Sequence, residues 1–271
     1  MSVYLGQLGR LVELKCPSGE AQAPEDTFTF EQTLEGRVKA QSRAFRGRRR
    51  WAVDIGVATP ADVGALMAFA DGEWGHGPFL WISTDTPVTN MLTPEQASCD
   101  PSVIYGANES AGGPVETPDG WAGRSYVNST PASLMYFGFD YTPVIPGEPV
   151  TASAYVRGAG AAARLYFYDS SGNWLGAFVT STVTATAGIV VRSWVTATAP
   201  AGAASCRVLG VNTSQGERPA ITWTDGLFEW SAGNGCSKAV IHGLSRQVIL
   251  ALREPGYGRY SSPSFTIQEV G

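Results

Sequence analysis

Between Asn90 and Trp230 the chain changes character, and that change limits what it can fold into. The stretch opens with Asn90-Met91-Leu92-Thr93-Pro94 and closes with Ile221-Thr222-Trp223-Thr224-Asp225-Gly226-Leu227-Phe228-Glu229-Trp230. It is rich in Ser, Thr, Ala, Gly and aromatic residues, with little charge and no helical period. Strand-like sequence of a more charged kind lies on both sides. The pattern reads as one β module carried on a loop of another β body. A length of 271 residues suits one large or two ordinary domains. Insertion into an exposed loop is tolerated when the ends of the loop lie close together. The expected carrier is residues 1–90 with 234–271, and the expected insert is 91–233.

The fold class follows from composition and alternation. Gly at 32 and Pro at 17 supply many turns, while charged residues make up only 16%. With abundant Thr, Val, Tyr and Trp, this is an all-β composition. In Arg49-Arg50-Trp51-Ala52-Val53-Asp54-Ile55, Trp51, Val53 and Ile55 fall on one face and Arg50, Ala52 and Asp54 on the other. Residues 3–15 read as one strand interrupted by Gly6 and Gly9. Lys238–Leu244 and Gln247–Leu252 read as two more.

One short helix is expected at about 60–71. Thr59 is its N-cap candidate, Pro60 takes the first helical position, and Asp62 adds negative charge to the first turn. Val63, Leu66, Met67 and Phe69 give it an apolar stripe, and Gly72 stops it.

The middle stretch holds eight or so strands with evenly spaced turns, the texture of a sandwich or jelly roll. Ala163–Tyr168, Asp169-Ser170-Ser171-Gly172-Asn173 and Trp174–Val179 form a hairpin. The carrier is expected to be a β-sandwich or split-barrel-like body.

Charge and cysteines exclude several classes. Residues 91–233 hold six cationic and eleven acidic residues and so carry the whole net charge of −5. A nucleic-acid binder would present a basic surface. The one basic cluster, Arg43, Arg46, Arg48, Arg49 and Arg50, is short and lies between strand-like segments. It fits an edge or subunit contact better than phosphate binding. Cys16, Cys99, Cys206 and Cys236 contain no CxxC pair and no nearby His, which argues against zinc. They read as mostly reduced thiols, with Cys99–Cys206 the one pairing to test. No run of eighteen apolar residues predicts a membrane span. The N-terminus has no secretory pattern, so synthesis in the cytoplasm without a signal peptide is expected.

Two sets of residues carry a resemblance. Asn90–Gln96, the turn and strand Val144–Val156, Tyr166-Phe167-Tyr168-Asp169 with Gly172, and Thr224–Glu229 resemble carbohydrate-binding jelly rolls of the xylanase and glucanase accessory type. The opening and closing strands also resemble inserts of bacteriophage tail proteins. Gly75-His76-Gly77-Pro78-Phe79-Leu80-Trp81 and Tyr257-Gly258-Arg259-Tyr260-Ser261-Ser262 resemble minor tail proteins of long-tailed phages infecting actinobacteria. Distal tail proteins, whose belt domain forms a ring between tube and tip, are the nearest role.

The resemblance implies a three- or six-fold ring of this chain in the virion tail tip. Its partners would be tail tube and tip proteins, and its insert would face host cell-wall glycan. It implies neither nucleic-acid binding nor membrane insertion.

The candidate chemistry is that of binding. His76 and His242 lack a Ser, Cys or carboxylate partner in any recognisable catalytic motif, and no G-x-S-x-G, H-E-x-x-H or P-loop occurs. Asp140, Glu148, Asp169, Asp225 and Glu229 offer carboxylates, but no two are set at a glycosidase separation by sequence. No cofactor is expected. Asp225 and Glu229, evenly spaced on one expected strand, would share a face and suit a structural calcium; solvent-facing charges are the plainer reading.

If Leu165 and Phe167 point inward, Arg164, Tyr166 and Tyr168 form an outward strip, with Trp174 beside it at the hairpin. That strip is the candidate glycan site. Ordinary tyrosines on a solvated sheet face remain the alternative. A glycan hydrolase and a stand-alone carbohydrate-binding protein are the competing functions.

Overall fold

The computed structural model describes residues 2–15, 17–24, 28–32, 37–42, 48–118, 120, 122–226, 230–251 and 259–270. In chain order its elements begin with strands Ser2–Gln7 (β1), Arg10–Lys15 (β2), Pro17–Pro24 (β3), Phe28–Gln32 (β4), Val38–Ser42 (β5) and Arg49–Ile55 (β6). Helix Pro60–Ala70 (α1), strand Phe79–Ile82 (β7) and the single turn Pro94–Ala97 (α2) follow. Next come Glu109–Glu116 (β8), Ala122–Asn128 (β9), Met135–Tyr136 (β10), Thr142–Pro143 (β11), Pro149–Arg157 (β12) and Ala162–Tyr168 (β13). Trp174–Thr180 (β14), Val190–Thr198 (β15), Ser205–Val211 (β16), Gln215–Thr222 (β17), Cys236–Ala251 (β18) and Arg259–Glu269 (β19) complete the chain. The fold is all-β.

Two compact units emerge. One comprises Met1–Leu5, Val12–Trp81 and Lys238–Gly271; the other comprises Gly6–Leu11 and Ile82–Ser237.

The first unit is built on a seven-stranded sheet in the order β2-β1-β7-β18-β19-β6-β3. Strands from both ends of the chain are therefore neighbours. β6 alternates as its sequence dictates, with Arg49, Trp51, Val53 and Ile55 buried and Arg50, Ala52 and Asp54 exposed. Trp51 lies 6.3 Å from Trp81, and Trp81 meets Phe265 edge-on at 6.3 Å.

Helix α1 packs against β19. Its start is a capping box: the Thr59 hydroxyl accepts from the Asp62 amide, and the Asp62 carboxylate accepts from the Thr59 amide at 2.9 Å. Val63, Leu66 and Phe69 of its stripe are buried, whereas Met67 is exposed.

Two expectations change here. Residues 3–15 form a hairpin, β1 and β2, because Gly9 takes a positive φ of 75° and reverses the chain. The two strands expected from Lys238 to Leu252 are one, β18, which runs to Ala251; Leu252 lies outside the described residues. Gly243, at φ 65°, sits in a register irregularity between His242 and Ser245, so the strand bulges beside the expected break at 245–246 and continues through it.

The second unit is a sandwich. One sheet runs β10-β16-β13-β14, with β11 also on β16; the other runs β15-β12-β17-β9-β8. β13 packs on β12 and β15, so the two sheets share a core. Leu165, Phe167, Cys206 and Val208 bury into it from one sheet, and Ala152, Ala154 and Val195 are buried on strands of the other. One polar link lies in this core: the Ala163 amide donates to Ser193 Oγ at 2.8 Å.

A single side chain joins the unit's entry and exit. Asn90, fully buried, accepts through Oδ1 from the amides of Leu92 (3.1 Å) and Ile221 (3.2 Å). Its Nδ2 donates to the carbonyls of Pro219 (3.3 Å) and Ser231 (3.0 Å). The Asn90 carbonyl takes the Asn234 amide at 2.9 Å, and the Leu92 carbonyl takes the Gly235 amide at 2.9 Å. Asparagine suits the place because its one amide group both accepts and donates in fixed directions.

Candidate functional site

The outer face of the β10-β16-β13-β14 sheet gathers most of the module's exposed rings. Its layout follows from β13, where Leu165 and Phe167 are buried and Arg164, Tyr166 and Tyr168 are half-buried. The register fixes the rest, since residues opposite one another share a face. Tyr166 stands opposite Arg207 on β16 and Phe178 on β14. Tyr168 stands opposite Ser205 and Trp174, and Arg164 opposite Leu209 and Thr180.

The hairpin that returns β14 is tied by Asp169. Its Oδ1 accepts from the amides of Ser171 and Asn173, both at 2.8 Å, and its Oδ2 from Asn173 Nδ2 at 3.0 Å. These bonds hold its carboxyl below the usual range, the side-chain bond from Asn173 foremost. Past the turn, an irregularity in the β13–β14 pairing falls between Tyr166 and Tyr168 on β13. It is spanned by Gly176 at φ 75°. The Trp174 indole N–H bridges it by donating to the Ala177 carbonyl at 3.4 Å. Both Trp174 and Phe178 thereby reach Tyr166, at ring separations of 5.6 and 5.5 Å. Trp174 is 52% exposed and Phe178 47%. Both rings present flat area to solvent.

Two arginines sit in this aromatic field. Arg164 donates from Nε to Thr180 Oγ1 at 2.7 Å and lies 4.6 Å over the Phe178 ring. Arg207 is buried among tyrosines, 4.1 Å from the ring centre of Tyr141, 4.7 Å from Tyr105, 5.8 Å from Tyr136 and 5.9 Å from Tyr168. It donates to the Phe139 carbonyl, and its Nε has no hydrogen-bond partner. Neither arginine has a carboxylate within ion-pair distance among the described residues. The ring quadrupoles take the place of a counter-ion.

Burial pushes the Tyr168 hydroxyl up to about 12 and raises that of Tyr136. Both stay neutral phenols at ordinary pH. The face therefore offers flat rings, phenols and cations.

The structure brings Arg164, Tyr166, Tyr168 and Trp174 together on one face. Sequence reasoning missed Phe178, Arg207 and the loop tyrosines Tyr105 and Tyr141. Phe178 was findable, being four residues past Trp174 on the returning strand. Arg207 lies between the inward Cys206 and Val208, so alternation could have turned it outward, but only the strand register sets it opposite Tyr166.

Other expected sites fare differently. Arg49 is corrected: it is buried on the inner face of β6 and ion-paired to Glu269 at 3.0 Å, so it is engaged inside its own unit rather than at a subunit contact. Arg48 and Arg50 are exposed, while Arg43 and Arg46 lie outside the described residues. Asp225 is corrected too. β17 ends at Thr222, and Asp225 is an exposed residue in a bend, not on a strand. Its expected partner Glu229 lies outside the described residues, among which no three His, Cys, Asp or Glu group to hold an ion. Cys99, Cys206 and Cys236 are buried reduced thiols, in line with the sequence reading, and burial pushes the Cys99 and Cys206 thiols far up. Cys16 and Trp121 lie outside the described residues.

No protein-family model matches the sequence, and no curated protein matches it. Solved structures are similar in part, three of them as follows. The enzymatically active domain of bacteriophage CBA120 tailspike protein 4 has a TM-score of 0.37 at 12% identity, over 51% of this chain and 22% of that one. The CBM22-1 and GH10 modules of the Clostridium thermocellum endo-1,4-beta-D-xylanase 10B, solved with xylohexaose, score 0.33 at 16% identity, over 48% and 27%. The VP2 subviral particle of infectious bursal disease virus scores 0.23 at 9% identity, over 98% and 67%. This chain thus spans about a quarter or less of the first two. Likenesses of this extent leave function to the chain's own residues.

Proposed function

We propose that this protein is a non-enzymatic structural component of a bacteriophage tail tip, of the distal or minor tail type. Residues 1–90 with 234–271 act as a ring-forming carrier that joins tail tube to tip, and residues 91–233 act as a glycan-binding module. The observation that carries the binding role is the cluster of Tyr166, Trp174 and Phe178 on one sheet face, with two rings about half exposed. Sugar rings have apolar faces that stack on such flat surfaces, while their hydroxyls bond to phenols and arginines alongside.

Chain connectivity supports the carrier and insert. β7 and β18 are neighbours in the first sheet, so the polypeptide between them leaves and returns at adjacent strands. Self-association finds support on β18, where Val248, Ile249 and Leu250 form an apolar run 45%, 54% and 48% exposed. Such a run suits burial against another chain.

Pull-down of the intact protein on host cell wall tests the binding role. Trp174→Ala and Tyr166→Ala should each weaken retention about ten-fold or more, on the scale of a lost stacking contact. Unchanged retention in both variants would remove the face from the binding role. Size measurement tests the carrier: the wild type should run as a ring oligomer and Ile249→Asp as a smaller species.

A further inference from the structure

We infer that the aromatic face takes an acidic glycan, a chain of sugar rings lying on Tyr166, Trp174 and Phe178 with a carboxylate or phosphate directed at Arg164. The inference rests on the proposed glycan-binding role of this face and adds the charge of its ligand.

The argument starts from an imbalance. Residues 91–233 carry all the net negative charge of the chain, yet the charged side chains set within this ring cluster are both arginines. The carboxylates near it do not neutralise them. Asp169 is taken up by the hairpin turn. Glu109 accepts from the amides of Tyr136 and Gly106. Asp140, half-buried beside Tyr141, is not within ion-pair distance of either arginine. A buried cation without a counter-charge is costly. Arg207 is nevertheless kept 7% exposed, with its Nε unpartnered.

The register gives the two cations a common face. Arg207 stands opposite Tyr166, and Arg164 is two residues along the same face of β13. The residue positions of such diagonal neighbours are about 7–8 Å apart, with Arg164 turned to Thr180 and Phe178 and Arg207 to the Phe139 carbonyl and Tyr141. Arg164 is the half-buried one, available to an ion pair. Arg207, beneath its tyrosines, adds potential without contact. A neutral sugar would use the rings and leave this potential idle, whereas an acidic one uses both.

Titration calorimetry on the intact protein tests this with three probes of similar length: an oligouronate, a phosphodiester-linked hexose oligomer, and a neutral oligosaccharide. At low salt at least one acidic probe should bind about ten-fold tighter than the neutral one, and added salt should shrink the preference. Which acidic probe binds decides between carboxylate and phosphate. Arg164→Gln should remove the preference, lowering affinity for the acidic probe far more than for the neutral one, Arg164→Lys should restore part of it, and Trp174→Ala should weaken every probe. Equal affinity for neutral and acidic probes would overturn the acidic preference and leave the glycan face standing. Acidic binding that survives Trp174→Ala would place the attraction elsewhere and overturn both, as would binding of none of the probes. An unchanged melting temperature for Arg164→Gln confirms that the variant is folded.

Discussion

The surroundings of Arg49 and of Arg207 form a natural pair, one in each unit. Both side chains are buried, at 6% and 7% exposure, and both guanidiniums lie over aromatic rings. Arg49 also meets a carboxylate. Glu269 Oε2 accepts from its amide (3.0 Å) and its Nε (3.1 Å), and Oε1 accepts from an Nη (3.0 Å). That fork links the first residue of β6 to the last of β19 and closes their pairing. Arg207 has rings on several sides and a single carbonyl. One charge is neutralised within the fold and serves the sheet; the other is screened by rings and meets no carboxylate within ion-pair distance among the described residues.

The sharpest way to break the comparison is Glu269→Gln. It removes the charge facing Arg49 and should cost the first unit about 3–5 kcal/mol, as breaking a buried pair does. Denaturant unfolding reads it, and a loss below about 1 kcal/mol would mean that Arg49 is as well served by its ring as Arg207 is.

Arg207→Met is the matching change in the second unit. It strands no carboxylate and leaves only the Phe139 carbonyl without its donor, so it should cost about 1–2 kcal/mol. A cost as large as that of Glu269→Gln would give Arg207 a structural role and weaken the contrast.

A smaller effect is expected at Asp100. It is ion-paired to Arg124 and accepts from the Ser102 amide at 2.9 Å. Burial alone would raise its carboxyl, but these bonds outweigh burial and hold it below its usual value. A depressed carboxyl contributes stability that is present above the unfolded value, about pH 3.9, and is lost as pH falls through the folded one. Arg124 is 46% exposed, so Asp100→Asn should cost under about 1 kcal/mol at neutral pH and less in acid. Melting temperatures at neutral and acid pH check the sign.

The smallest stability effect should come from Trp174→Ala, about 0.5–1 kcal/mol for a half-exposed ring, although its expected effect on binding is the largest of the set.

What the sequence made legible was local. Alternation placed the faces of β6 and β13, and Thr59, Pro60 and Asp62 marked the start of α1. Asp169 to Asn173 announced the hairpin. The same alternation set Arg49 on the face of Trp51, two residues away. It was overlooked because a run of arginines reads as surface. What was hidden depends on partners far along the chain. Arg207 faces Tyr166 only through the β13–β16 register, and Tyr105 and Tyr141 reach the cage from loops without a period. Ser245 and Arg246 looked like a gap between two strands because polar residues interrupt the apolar run there, and only the pairing with β19 shows one strand with a bulge.

The ring of bonds around Asn90 has a mechanical consequence. The stretches at 90–92 and 231–235 are fastened to each other and to β17 within the second unit. A pull on either stretch is therefore shared by the other, and the two ends of the sandwich hold or fray together.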